Sequence, residues 1–242
     1  MSFKNLFVFL LSTLCCASTW AQLDDGALVL PVQSMPQIDA AAALEPAADV
    51  WASAKATHLH LNLTPPLYAG DATDDGFRPE VSVQLLRLDD GSIIVRAQWA
   101  DPTANLAGDG TTFPDGGEAH VYKKHSDGVG TFPDAFCAMV PVKRGPHATY
   151  PSMMMGEKQQ PVDLCFWKAG TGFQLLGAHG RASTAKTETP LAGRSVREGD
   201  RWTVTMALPD LTPGTPVCFA VWDGAREQRD GIKYFSLWYE VE

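Results

Sequence analysis

The chain has 242 residues, 45% of them apolar, and carries 28 Asp and Glu against 19 Lys and Arg, a net charge of −9 at pH 7. An acidic surface without a basic stripe argues against nucleic acid or an anionic membrane as partner. Length and apolar content are enough for one large domain with its own core.

Residues 1–21 read as a secretory signal peptide. Lys4 supplies the positive end, residues 6–14 the apolar core, and Ala21 a small residue before the cut. That core is shorter than the roughly 20 residues a membrane span requires. Cys15 follows Leu14 and Cys16 follows Cys15, which does not suit lipidation. No later segment is apolar enough to span, so the mature chain is expected to be exported and to lack a membrane span. Residues 22–54, rich in Ala and Pro, form an N-terminal arm that wraps the domain or docks on a partner subunit.

Residues 55–242 read as a single all-β domain, a β-sandwich with long pocket-forming loops and little helix. Period-2 alternation broken by Gly, Pro and Asp predicts strands over 57–63, 81–88, 92–99, 135–142, 162–167, 201–208, 217–222 and 234–241. Asp89-Asp90-Gly91 joins the second and third as a tight hairpin. Helix is expected to be limited to a turn or two within 101–130. The long loops 101–133 and 143–160 are expected to rim a ligand pocket at one end of the sandwich.

Enzymatic motifs are lacking. There is no Gly-x-Ser-x-Gly elbow, His-Glu-x-x-His, phosphate loop or dinucleotide fingerprint. His58 and His60 share a strand face that is either merely hydrophilic or metal-binding. His120 and His125, beside Lys123 and Lys124, have no carboxylate pattern to complete a zinc site. Cys137, Cys165 and Cys218 lie in apolar runs and read as small core residues, with one disulfide at most. Without Cys-x-x-Cys-His, covalent c-type haem attachment is excluded on this chain.

Two features remain. Met153-Met154-Met155 stands between Pro151 and Gly156, and Met139 lies in the strand at 135–142. Thioethers fill irregular core gaps, or they ligate a soft metal such as haem iron. Lys233 re-enters an aromatic-rich strand between Trp222, Tyr234, Phe235 and Trp238. Its default role is a solvated charge; beside a methionine ligand it becomes a candidate for the second axial position.

Several blocks resemble the haem-binding γ subunits of ethylbenzene dehydrogenase-type molybdoenzymes, among them those of dimethylsulfide dehydrogenase and of selenate and chlorate reductase. They are Phe132-Pro133-Asp134-Ala135-Phe136-Cys137-Ala138-Met139-Val140-Pro141, Met154-Met155-Gly156-Glu157, residues 161–169, and Phe219-Ala220-Val221-Trp222-Asp223-Gly224 followed by Arg229-Asp230-Gly231-Ile232-Lys233. The resemblance spans about residues 57–242. It implies a β-sandwich holding one non-covalent haem b with axial methionine and lysine. It further implies a periplasmic complex with an iron–sulfur β subunit and a molybdopterin-containing α subunit, and electron exchange with a soluble carrier. Lys233 takes the lysine position. Met155 is the first choice for the sulfur, with Met154 and Met139 as alternatives. Arg226, Arg229, Lys124 and Lys143 are candidate propionate partners.

A ligating lysine must be neutral. From a reference pKa of about 10.4, deprotonation at pH 7 costs roughly 4.6 kcal/mol, so apolar surroundings are required. Two protein ligands leave the iron no open position, which implies electron transfer and no active site on this chain. The competing expectation is an exported carbohydrate-binding module that stacks sugars on Trp99, Trp167 or Trp202.

Overall fold

The computed structural model describes residues 28–65, 74–106, 132–145 and 150–242. His120, His125, His147, Lys124 and the signal segment lie outside them. In chain order the strands are β1 (Leu28–Leu30), β2 (Val32–Ser34), β3 (Thr57–His58), β4 (Leu61–Leu63), β5 (Val81–Arg87), β6 (Ile93–Ala100), β7 (Ala135–Pro141) and β8 (Val162–Lys168). They continue with β9 (Gly172–Ala178), β10 (Ala185–Lys186), β11 (Gly193–Glu198), β12 (Arg201–Leu208), β13 (Pro216–Trp222), β14 (Tyr234–Ser236) and β15 (Tyr239–Val241). They form a nine-stranded sheet, β1-β15-β13-β7-β8-β9-β10 with β14 and β4 alongside, and a six-stranded sheet, β11-β12-β6-β5-β2 with β3 alongside. The chain is an all-β sandwich, as its sequence predicts.

Between the sheets lies the main core. Val81, Val83, Val95, Trp99, Trp202 and Val204 from the smaller sheet meet Phe136, Val140, Trp167, Phe219 and Val221 from the larger. The β5–β6 hairpin closes through Gly91, whose φ of +85° suits glycine, with its N–H donating to Leu88 O.

Central strands β7 and β13 are buried at every position. Their sequences therefore run continuously apolar where a half-solvated strand would alternate. One set of side chains enters the inter-sheet core. The other set, including Ala135, Cys137, Met139, Cys218, Ala220 and Trp222, faces outward into a second apolar cluster.

The arm has structure that its composition did not predict. β1 pairs in parallel with β15 and β2 with β5, followed by helix α1 (Ala40–Ala43) and a 3-10 turn (Asp49–Ser53). Ala43, Leu44, Trp51 and Ala54 pack on Leu86, Leu88 and Ile94, the outer face of the smaller sheet. Gln84 donates to Trp51 O and Ala54 O, Thr205 Oγ1 donates to Leu44 O, and Arg194 pairs with Glu45 at 2.7 Å. Of the two expectations for the arm, the described part meets the first: it wraps the domain and spends its apolar residues on this chain's own sheet.

Predicted strands 57–63 and 234–241 each break in two. β3 joins the smaller sheet and β4 the larger, while Leu237-Trp238 interrupts the last strand between β14 and β15. β9, β10 and β11 were not predicted.

Candidate functional site

The outer face of the larger sheet has a floor of small residues, namely Ala135, Cys137, Ala178, Cys218 and Ala220. Leu164, Phe166, Leu176, Trp222 and Trp238 stand around them. All three cysteines are buried free thiols, and burial pushes Cys137 up to about 12. They are apolar packing groups, not nucleophiles.

Lys233 reaches this face from the loop before β14. Its Nζ lies 5.4 Å from the Trp222 ring centroid, and its charge is felt at both Cys137 and Cys218. Burial pushes its pKa down to about 8, the Arg181 guanidinium lowers it further, and Asp230 opposes the shift. The apolar surroundings expected of a neutral lysine are present.

The described part of the methionine loop lies across the same face, not at an end of the sandwich as expected. Met153 and Met155 pack against the cluster. Met154 is 50% exposed and does not. Met139, 7% exposed, belongs to the cluster itself, opposite Cys218 and Leu164 in the register. Met153 was missed because residues of a loop have no periodicity that assigns their facing.

Two contacts fix the start of the loop, and a left-handed backbone ends it. Trp238 Nε1 donates to Pro151 O at 3.2 Å, and the Tyr150 hydroxyl donates to Glu240 at 2.7 Å. At its far end Met155 adopts φ +68°, and Gly156 follows at φ +71°. A Cβ on Gly156 would meet Gln160 O at 2.7 Å, so only glycine fits there.

A hook at residues 179–184 holds Met155. Gly180 N–H donates to Met155 O at 2.8 Å, and Thr184 Oγ1 donates to Met155 Sδ at 3.9 Å. The same hook carries Arg181, whose charge acts on Lys233. One small turn thus acts on both candidate ligands, on Met155 by contact and on Lys233 through the charge of Arg181, though they are 78 positions apart in sequence.

Other candidates are engaged elsewhere. Arg226 pairs with Asp75 at 2.7 Å and lies over Phe77, while Arg229 lies over Phe132 and donates to Glu227 O. His58 and His60 are exposed. Trp99, Trp167 and Trp202 are 2%, 2% and 6% exposed in the inter-sheet core, so no sugar can stack on them. That overturns the expected carbohydrate-binding surface: these rings are the large residues that fill the sandwich. An acidic group unnoticed in the sequence, Asp101, Asp134 and Asp223, lies where the loop leading to Lys233 leaves β13. No helix among the described residues is long and apolar enough to cross a membrane.

Fold and site define a two-sheet β-sandwich protein whose larger sheet carries a lysine and methionines on an apolar outer face. Within that class, the chain belongs to the ethylbenzene dehydrogenase family, whose family model matches residues 48–204. It is 27% identical to the chlorate reductase subunit gamma of Ideonella dechloratans, over 100% of this chain and 95% of the relative. It is 27% identical to the dimethylsulfide dehydrogenase subunit gamma of Rhodovulum sulfidophilum, over 78% of this chain and 70% of that one. It is 26% identical to a protein of Haloferax mediterranei named as a respiratory nitrate reductase heme subunit, over 81% of this chain and 66% of the relative. The family match includes Met139, Met154 and Met155 and ends before Lys233.

Proposed function

We propose that this chain is the electron-transfer γ subunit of a molybdenum and iron–sulfur oxidoreductase, carrying one non-covalent haem b. Lys233 and Met155 are its axial ligands, with Met139 as the second choice of sulfur and Met154, exposed, as the third. The observation that carries this reading is a lysine driven toward neutrality at an apolar sheet face on which a held methionine packs. With its pKa near 8, neutralising Lys233 at pH 7 costs only about 1.4 kcal/mol, within what a metal–nitrogen bond supplies. The names of the three relatives, two gamma subunits and a heme subunit, support the same reading.

The residues present fit the group. Small side chains form a floor for a flat ring, the donors are a soft thioether and an amine, and the surrounding aromatics exclude water. When bound, a haem with two protein ligands supplies one-electron chemistry and no open position for substrate. The chain's own part is to hold the two donors, lower the cost of deprotonating Lys233 and pack apolar side chains around them. Partners are an iron–sulfur β subunit and a molybdopterin-containing α subunit. Electrons pass between the iron–sulfur subunit and a soluble carrier in the periplasm, reached through cleavage of residues 1–21.

The test is optical. Protein purified from haem-replete cells is expected to show sharp b-type bands when reduced. Lys233→Ala is expected to lose haem or its low-spin spectrum while far-UV circular dichroism stays that of the parent. A folded, colourless wild-type chain would sink the proposal, and an unaltered Lys233→Ala spectrum would remove Lys233 from the iron.

A further inference from the structure

The geometry points to Thr184 as the residue that holds and electronically tunes the Met155 sulfur, a positioning residue for the site proposed above, on which this inference rests. Thr184 closes the 3-10 turn Arg181–Ser183 in extended conformation, φ −64° and ψ 122°. Its Oγ1 is 3.9 Å from Met155 Sδ and 3.5 Å from Arg181 O. Both contacts are long for their acceptor type, so distance commits the one hydroxyl proton to neither, and the Met155 sulfur is one of its two partners.

The hook is built to keep that hydroxyl in place. Gly180, at φ +124°, starts the turn, and Ser183 N–H donates back to Gly180 O at 3.0 Å. Ser183 Oγ accepts from His179 N–H and donates to Gly180 O. Gly180 N–H then donates to Met155 O, so the turn grips the methionine at its backbone as well as its sulfur.

The chemical consequence follows from the thioether's two lone pairs. One is donated to a metal; the other remains free to accept from Thr184 Oγ1. A hydrogen bond there withdraws electron density from sulfur and weakens its donation to the oxidised metal more than to the reduced one. Outer contacts of this type orient a ligand and tune its metal. Thr184 therefore raises the reduction potential and restrains the Met155 side chain.

Thr184→Val removes the hydroxyl and keeps the shape; Thr184→Ser keeps the hydroxyl. Both are compared with the parent and with Met155→Ala as full-length, haem-loaded protein. The measurements are redox titration, the sulfur-to-iron charge-transfer band and circular dichroism. For Thr184→Val, the oxidised-to-reduced ratio at fixed ambient potential is expected to rise two- to tenfold. That equals a potential lower by about 20–60 mV, with Thr184→Ser close to the parent. The inference alone is overturned if Thr184→Val keeps the parent potential and band while Met155→Ala loses the band. Equal shifts in the Val and Ser variants also overturn it, because packing and not the hydroxyl would then be responsible. If Met155→Ala leaves the spectrum unchanged, Met155 is not a ligand, and the underlying assignment falls with it.

Discussion

At the scale of single residues, the two best methionines differ in what their loss should do. Met139 is buried in the middle of the larger sheet, so Met139→Ala opens a cavity and is expected to cost about 2–5 kcal/mol. Met155 is half-buried on a loop, and Met155→Ala should cost little stability while abolishing the low-spin spectrum. Urea unfolding together with absorption spectra of both variants separates the roles. The assignment reverses if Met139→Ala loses the low-spin bands and Met155→Ala keeps them. The aromatic surroundings of Lys233 were legible in the sequence because most of them are adjacent to it along the chain. Which methionine faces the cluster was not, since it depends on a left-handed backbone at Met155 and on a hook 25 to 29 positions later. Periodicity encodes neither.

Among the elements, the strongest strands were read well because their apolar runs are long and bounded by turn residues. β12 coincides with its predicted bounds, and β5, β6, β7, β8 and β13 fall within a residue or so. β11 was missed because it is an edge strand of polar, largely exposed residues, Gly193–Glu198, with no buried face to mark it. The strands and turns of the arm were not legible for a related reason. Its Ala and Pro content hides four apolar side chains whose partner is a sheet far ahead in sequence. Trp51 is its anchor, 2% exposed, with a buried Nε1 that has no hydrogen-bond partner. Trp51→Ala should therefore cost about 3–5 kcal/mol, while Trp51→Phe, which removes the unsatisfied donor, should cost far less. Thermal unfolding of the isolated subunit checks this. Were the arm a partner-docking device, Trp51→Ala would leave subunit stability untouched and weaken only assembly.

Across the whole molecule, one buried carboxylate ties together three separated stretches of chain. Asp134, 0% exposed, accepts from Asn105 N–H and Trp202 Nε1 at one oxygen and from Gly224 N–H at the other. It thereby joins the segment before β7, strand β12 and the loop that leads to Lys233. Burial pushes its pKa up to about 6 from an ordinary 3.8, with nearby Asp101 adding to the shift and the hydrogen bonds opposing it. Between those values the folded chain binds more protons than the unfolded one, so stability must fall as pH rises. Fully expressed, the shift corresponds to up to about 3 kcal/mol lost between pH 4 and pH 7. Burial also raises the half-buried Asp163 and Asp223, so both reinforce the slope. The carboxylates shifted downward, Asp74, Asp75 and Asp90, titrate below pH 3.8 and do not cancel it. Urea unfolding at pH 4.5 and 7 should show greater stability at the lower value. Asp134→Asn removes the titration and replaces one acceptor with a donor facing N–H groups, so it should be less stable than the parent at pH 4.5. Its disadvantage should shrink by pH 7. A parallel pH slope in the two proteins would show that Asp134 stays ionised throughout, and that its three hydrogen bonds outweigh its burial.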